Sequence, residues 1–113
     1  MLEAVQVTTT TGQRADADAI AEALVQRRLA ACVQVSGPVS SCYRWKGEIQ
    51  RGEEWVCTIK TTVQAYEHVE QAIRELHPYD EPEILASPIS HGSQGYLRWL
   101  TDQIDWGSDW GSD

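Results

Sequence analysis

Among the three histidines and three cysteines of this 113-residue chain, two are candidate ligands for transition metals, although no Cys-x-x-Cys or His-x-x-x-His pattern surrounds them. His77 lies between the end of a predicted helix and a Pro-Tyr pair. Imidazole is a common copper and zinc ligand, so His77 is a candidate ligand; alternatively, its side chain hydrogen-bonds a carbonyl at the helix end. Cys32 lies in an apolar run. Its thiolate would favour soft metals, whereas a buried cysteine usually acts as a small apolar side chain.

The chain contains three cysteines: Cys32, Cys42 and Cys57. An odd number argues against a disulfide framework, and we expect free thiols. Cys42 and Cys57 flank a predicted hairpin turn at Arg51-Gly52, where glycine permits the positive φ of a tight turn. In that register Cys42 lies opposite Thr61 and Cys57 opposite Lys46, so the two do not pair. Reduced thiols, and an N-terminus without a basic region and a long apolar run, favour the cytoplasm.

The charge balance is strongly acidic, with 9 Lys and Arg against 17 Asp and Glu and a formal net charge of −8. Such a chain is a poor candidate for binding nucleic acid, because the phosphate backbone repels it. No apolar run reaches membrane-spanning length. The acidic pairs Glu53-Glu54 and Asp80-Glu81 lack ligand-loop spacing and are interpreted as solvated charge. No phosphate loop, nucleophile elbow or dinucleotide fingerprint is present, so nothing argues for an enzyme.

The pattern of apolar residues predicts the element order β-α-β-β-α-β, followed by a terminal helix. The predicted strands are residues 3–10, a run at 30–35 that resumes after a bend as the first hairpin arm, the second hairpin arm, and 83–89, with both arms within 40–62. The predicted helices are 16–29, one after a Thr61–Gln64 capping box, and 93–105. Asp16 is the predicted first N-cap, and Gly37-Pro38 a bulge or bend. This order is typical of an α+β, ferredoxin-like fold with a four-stranded antiparallel sheet and two helices on one face.

We expect one domain over residues 1–105 and a disordered tail over 106–113, where an Asp-Trp-Gly-Ser pattern repeats. Alternatively, the two tryptophans of the tail dock on a neighbouring subunit. The predicted hairpin is too long to be buried in a small monomer. Its far half therefore needs a partner, since an unpaired hairpin of this length invites aggregation.

Five motifs in one order resemble the CutA family, the divalent-cation tolerance proteins. They are Leu29-Ala30-Ala31-Cys32-Val33, Tyr43-x-Trp45-x-Gly47-x-Ile49, Ile59-Lys60-Thr61, His77-Pro78-Tyr79-x-x-Pro82-Glu83-Ile84 and Tyr96-x-x-Trp99-Leu100. The resemblance covers residues 4–104. It implies a ferredoxin-like homotrimer whose long hairpins pair edge to edge between subunits. It also implies a role linked to copper and other divalent metals, with no established enzymatic reaction.

The same resemblance implies two sets of site residues. His77 matches a proposed copper ligand of some CutA proteins, while Thr9 stands where some members carry a cysteine implicated in copper binding. That difference weakens the expectation of tight copper binding. The second set clusters near a cleft between subunits in CutA-like trimers: Trp45, Lys60, Tyr79, Glu83 and Trp99. These residues would hold a small anion or a metal–carboxylate complex; alternatively, they form an interface ion pair with packed aromatic rings.

The leading hypothesis is a cytoplasmic homotrimer that binds divalent metal weakly to moderately, copper foremost, through His77 and Cys32. The second hypothesis is a signalling or adaptor trimer, because PII signal-transduction proteins resemble this architecture. Lys60, Tyr79 and Glu83 would then bind a metabolite in the inter-subunit cleft. The third is a stable trimer with a purely structural role. Because one fold can support several functions, the predicted fold does not distinguish the three hypotheses.

Overall fold

The computed structural model describes residues 3–105, and the predicted tail 106–113 lies outside them. Seven elements follow one another: β1 (Ala4–Thr11), α1 (Arg14–Gln26), β2 (Cys32–Trp45), β3 (Glu48–Thr62), α2 (Tyr66–Leu76), β4 (Leu85–Pro88) and α3 (Gln94–Gln103). The sheet order is β2-β3-β1-β4, and every neighbouring pair is antiparallel. The predicted ferredoxin-like α+β fold is confirmed. Within residues 3–105, no helix is long and apolar enough to cross a membrane.

The core lies between one face of the sheet and the helices α1 and α2. Side chains alternate between the faces of a strand, and Val7 of β1 pairs with Ile59 of β3 on the buried face. The helices cover this face with apolar residues spaced at helical intervals: Ala17, Ile20, Leu24, Val69, Ala72 and Ile73. Further along β1, Thr9 and Thr11 are also buried. The Thr9 hydroxyl has no hydrogen-bond partner in the part of the chain that the structure describes.

The hairpin between β2 and β3 turns at Lys46-Gly47, so the predicted turn at Arg51-Gly52 is wrong. Lys46 and Gly47 have φ angles of 51° and 81°. Two positive φ angles suit the turn that matches the strands' natural twist. A turn at Arg51-Gly52 would have placed Val35 opposite His68, a residue of α2. The first half of β2 would then have lacked a partner strand. In the structure β2 and β3 pair along the whole hairpin, which excludes that register.

The predicted irregularity at Gly37-Pro38 is confirmed as a bulge, with a register shift between Ser36 and Val39. The Gly37-Pro38 peptide bond is cis, and Gly37 has a φ of 145°, which favours glycine. A Cβ added to Gly37 would lie 2.9 Å from Cε3 of Trp55. The bulge therefore requires a residue without a side chain at this point.

Beyond the bulge, the hairpin extends away from the core and lengthens the molecule, which measures 47 × 31 × 24 Å. Apolar residues of this distal half are 37–64% exposed: Val39, Tyr43, Trp45 and Ile49. Aromatic and β-branched side chains suit a pleated, half-buried surface. Within residues 3–105 of the single chain, this surface is left exposed.

The first helix is shorter than predicted. It begins at Arg14 with Gln13 as N-cap, so the predicted start and the Asp16 cap are wrong. Asp16 instead lies in the first turn, where a carboxylate is favourable beside the helix dipole. The helix ends at Gln26 rather than residue 29, because Arg28 adopts a left-handed conformation with a φ of 58°.

Arg28 forms hydrogen bonds with the C-terminal end of α3. Its guanidinium donates from Nε to the carbonyl oxygen of Gln103 at 3.1 Å and from Nη2 to that of Asp102 at 3.0 Å. The Asp105 carboxylate lies 3.4 Å from the same guanidinium. These contacts satisfy carbonyls that a helix end leaves without partners. Leu100 of α3 is fully buried.

The predicted capping box after the hairpin is wrong, because β3 continues to Thr62. The Thr61 hydroxyl donates to the carbonyl of Leu29 at 2.6 Å, and the Ala65 amide donates to the Thr62 hydroxyl at 3.3 Å. As predicted, α2 ends before His77-Pro78. The fourth strand, Leu85–Pro88, is shorter than the predicted 83–89, and it is an edge strand that ends at its proline.

Candidate functional site

His77 joins the end of α2 to the end of β1. Its buried ring places Nε2 2.7 Å from the carbonyl oxygen of Thr10, and the Tyr79 amide donates to Nδ1 at 3.1 Å. A backbone amide only donates and a carbonyl only accepts, so these partners require a neutral ring with its proton on Nε2. Both nitrogens are therefore occupied. The His77 side chain does not cap α2, because its carbonyl partner belongs to β1.

Tyr79 lies in the loop between α2 and β4 and connects that loop to the β2–β3 hairpin through Glu54. The Tyr79 hydroxyl donates to Oε2 of Glu54 at 3.1 Å, and the Ser41 hydroxyl donates to Oε1 at 2.7 Å. Burial, followed by the bond to Glu54, raises the pKa of the Tyr79 phenol. Gly12 packs beside it, since an added Cβ would lie 3.1 Å from the Tyr79 oxygen. Glu54 is thus held between β2 and the loop after α2.

A cavity of about 520 Å³ opens beside this network. We call it the acidic cleft and define it by its lining residues: Thr10, Ser41, Tyr43, Trp45, Glu54, Tyr79, Asp80, Glu81 and Glu83. Its volume lies within the usual range for small-molecule pockets, roughly 300–1,000 Å³. The lining combines aromatic rings, hydroxyls and carboxylates, and it contains no Lys, Arg or His. The cleft is therefore suited to a cation.

Three residues of the predicted inter-subunit cleft line the acidic cleft, and two do not. Trp45, Tyr79 and Glu83 belong to the lining. Lys60 lies elsewhere on β3, where its Nζ donates to Oε1 of Gln34 at 2.7 Å. Trp99 lies on α3 and contacts Tyr96, with ring centroids 5.4 Å apart. Without Lys60 the described lining of the cleft contains no basic side chain to attract an anion.

Sequence reasoning missed the hydrogen-bonded carboxylate of the cleft. Glu54 was interpreted as solvated charge, but it is only partly exposed and both its oxygens accept hydrogen bonds. Ser41 and Tyr43 were also missed. They alternate with Trp45 on one side of β2, and this alternation was the available signal. The pair Asp80-Glu81 is exposed, as expected.

His77 and Cys32 do not form a common site in the single chain. Cys32 pairs with Lys60 across β2 and β3, whereas Thr10, the partner of His77, pairs with Val56. Four residues of β3 separate those two pairs, which corresponds to ~13 Å along a strand. Across residues 3–105, no group of three or more His, Cys, Asp or Glu side chains is placed to hold a metal ion.

The cysteines are free thiols, as predicted. Cys42 is exposed and Cys57 is buried, and in the observed register neither lies opposite the other. Cys57 donates to the carbonyl of Ala17 at 3.6 Å. Burial, with a smaller contribution from Asp18, raises the pKa of its thiol to about 11. Cys57 is therefore a poor metal ligand near neutral pH, because the thiolate is the binding form.

Comparison with known proteins identifies the family. The family model described as "CutA1 divalent ion tolerance protein" matches residues 5–103. The chain belongs to the CutA family. It is 45% identical over 83 residues to the divalent-cation tolerance protein CutA of Thermus thermophilus, which covers 74% of this chain and 81% of that protein. The crystal structure of CutA1 from Shewanella sp. SIB1 superposes with a TM-score of 0.89 at 38% identity, covering 92% of this chain and 97% of that one.

CutA proteins of animals are longer. Human CutA is 37% identical over 90 residues, which covers 80% of this chain but 50% of the human protein. This chain thus corresponds to about half of that relative. The bacterial relative matches 74% of this chain, and the solved Shewanella structure covers 92% of it with the same fold.

Proposed function

We propose that this CutA chain forms a cytoplasmic homotrimer that binds divalent cations weakly, copper foremost, and contributes to tolerance of those ions. The observation that carries the proposal of cation binding is the acidic cleft, which gathers carboxylates and lacks a basic residue in its lining; the proposed copper ligands His77 and Cys32 lie outside that lining. Together with a formal net charge of −8, it favours cations near the protein surface. Membership of a family named for divalent-ion tolerance supports the same function. The proposal includes no enzymatic reaction.

Assembly is supported by the distal half of the hairpin. Its exposed apolar residues, with Trp45 57% and Ile49 64% exposed, would be covered if hairpins of neighbouring copies paired edge to edge. Sedimentation equilibrium at micromolar concentration tests this directly, and we expect the mass of a trimer. Ile49→Glu should shift the equilibrium toward monomer, because a charge would then need burial. Leu85→Glu, an equally exposed position on β4, provides a matched control. A wild-type monomer would refute the assembly.

His77 and Cys32 are the proposed soft ligands. His77 would need to give up either the Thr10 carbonyl or the Tyr79 amide before a ring nitrogen could bind metal. Cys32 is only partly buried, so its thiol is accessible without unfolding. Both conditions lead us to expect weak metal binding, because neither side chain belongs to a complete set of metal ligands.

Calorimetric titration of copper(II), and of copper(I) under reductant, tests the metal assignment. We expect saturable binding at a fixed number of ions per trimer that is lost in His77→Ala and weakened in Cys32→Ala. His91→Ala and Cys42→Ala are matched controls, because both replace an exposed side chain of the same type. Binding that survives both test substitutions, or no saturable binding at all, would contradict the assignment.

A second candidate function is a PII-like trimer that binds a small molecule in a cleft between subunits. The observation that favours it is the cavity of about 520 Å³, with the hydrogen-bonded carboxylate of Glu54 and aromatic rings in its lining. Thermal shift measurements against a small-molecule panel, with metal removed by a chelator, test this function. A hit that Glu83→Gln abolishes would support the cleft. A panel without any such hit would count against it.

A further inference from the structure

We propose that the tail, residues 106–113, docks in a groove beside α2 of its own chain and places one of its two tryptophan rings on the groove floor. The groove lies outside the acidic cleft, and the proposal is independent of metal binding by His77 and Cys32.

The groove is a cavity of about 330 Å³ between α2 and the segment that joins α1 to β2. Leu29 and Ala72 are only 4% and 3% exposed, and they form an apolar floor. Around this floor lie longer polar side chains: Arg27, His68, Gln71 and Glu75. An apolar floor with a polar rim suits an indole, because the ring packs on the floor and its N–H reaches a polar group at the edge.

The described chain ends next to this groove. The Asp105 amide donates to the carbonyl oxygen of Arg28 at 3.0 Å, and the Asp105 carboxylate lies 3.4 Å from the Arg28 guanidinium. The two sequence neighbours of Arg28, Arg27 and Leu29, both line the groove. Since consecutive Cα atoms are ~3.8 Å apart, the tail begins close to the groove.

The tail is long enough to follow the groove. Eight extended residues span at most ~28 Å. The wall of the groove on α2 runs from His68 to Glu75, which corresponds to ~11 Å of helix. Both Trp106 and Trp110 can therefore reach the floor without movement of the described chain.

The composition of the tail favours docking through a ring. Trp106 and Trp110 are its only large apolar side chains, and Gly, Ser and Asp residues separate them. Burial of one indole removes ~150–250 Å² of surface from water. The glycines and serines place few restrictions on the path of the backbone along the groove.

The rim of the groove offers a positive charge to this acidic tail. The tail carries Asp109 and Asp113 and no basic residue, and the whole chain has a formal net charge of −8. Arg27 lies at the rim with Nη1 3.8 Å from Oε1 of Glu75, and both side chains of that pair are about half exposed. Such a surface pair is weak, so the guanidinium can also bind a tail carboxylate.

The groove stays accessible in the proposed trimer. Its lining residues lie on α2 and on the segment between α1 and β2, and they include no residue of the hairpin or of the edge strand β4. Edge-to-edge pairing of hairpins therefore leaves the groove available to the tail of the same chain.

Fluorine NMR of the full chain labelled with 5-fluorotryptophan tests the proposal. The five tryptophans give separate probes, and Trp106→Phe and Trp110→Phe assign the two tail resonances. We expect one tail resonance to lie away from that of free 5-fluorotryptophan and to have a reduced solvent isotope shift. Gln71→Glu, which adds a carboxylate at the exposed rim, should return this resonance most of the way to the free position. Arg27→Gln should change it in the same direction.

The matched controls are Gln94→Glu and Arg98→Gln, the same replacements at exposed positions of α3 outside the groove lining. They should leave both tail resonances unchanged. The resonances of Trp45, Trp55 and Trp99 report in the same spectra whether each variant is folded.

Three results would overturn the proposal. Both tail resonances could lie at the free position in the wild-type chain. A shifted tail resonance could ignore Gln71→Glu and Arg27→Gln, or respond equally to the controls, which would place the tail elsewhere. In assemblies mixed with an excess of unlabelled Gln71→Glu chains, a labelled wild-type chain should keep its shifted resonance; its loss there would place the tail in the groove of a neighbouring copy.

Discussion

The Gly37→Ala substitution should destabilise the chain strongly, and the structure gives two separate reasons. Gly37 has a φ of 145°, and a side chain in such a region costs about 1–3 kcal/mol. The new methyl group would lie 2.9 Å from the Trp55 ring and 3.0 Å from the carbonyl oxygen of Glu54. Overpacking of this kind typically costs about 1–3 kcal/mol more. The expected loss in free energy of unfolding is therefore roughly 2–6 kcal/mol.

Urea denaturation at a fixed protein concentration measures this loss, because assembly would otherwise change the apparent stability. Gly52→Ala is the matched control: it lies in the same hairpin, has no positive φ, and an added Cβ meets nothing within 4 Å. We expect the control to change stability by less than about 0.5 kcal/mol. If Gly37→Ala is no more destabilising than Gly52→Ala, the bulge does not require glycine and the reasoning is refuted.

Three further predictions concern buried or strained groups. Thr9→Val should stabilise the chain by about 1 kcal/mol in urea denaturation, because it removes a buried hydroxyl without a partner in residues 3–105; a loss of stability would contradict this. Arg28→Ala should be more destabilising than Arg28→Gly, by about 1 kcal/mol, since both lose the α3 contacts but only glycine is relaxed at a φ of 58°. The free energy of unfolding should fall as the pH rises from 9.0, the ordinary thiol pKa, toward about 11, the pKa of Cys57 in the folded chain. In that range the Cys57 thiol binds fewer protons in the unfolded state than in the folded state. Cys57→Ala should lack that component of the pH dependence.

The order of elements could be predicted from the sequence, because it depends on patterns that repeat along whole segments. The apolar spacing of Ile20 and Leu24, and of Val69 and Ile73, indicates helices wherever they begin. The ends of elements depend on single contacts. Thr61, for example, donates to the distant carbonyl of Leu29 instead of capping α2, and nothing in the local sequence reveals that partner.

The hairpin turn shows how a local ambiguity becomes a global error. Lys46-Gly47 and Arg51-Gly52 are both suitable turn dipeptides, so turn chemistry alone does not choose between them. The choice depends on whether the first half of β2 finds a partner strand, which is a property of the whole sheet. In the predicted register Glu54 would lie opposite Ile49. In the observed one it lies diagonal to Ser41 and accepts a hydrogen bond from its hydroxyl. The hydrogen-bonded carboxylate of the cleft was therefore missed for the same reason as the turn.

His77 occupies a place in the structure that changes how the copper experiment must be interpreted. A chain of hydrogen bonds runs from Thr10 of β1 through His77 to Tyr79, and from Tyr79 through Glu54 to Ser41 of β2. Replacing His77 would release Tyr79 and so disturb the cleft even if the imidazole never binds metal. Tyr79→Phe removes the hydrogen bond from Tyr79 to Glu54 but keeps the His77 ring. Loss of copper binding in His77→Ala therefore identifies His77 as a ligand only if Tyr79→Phe leaves copper binding intact. Equal loss in both variants would instead place His77 among the residues that position the cleft.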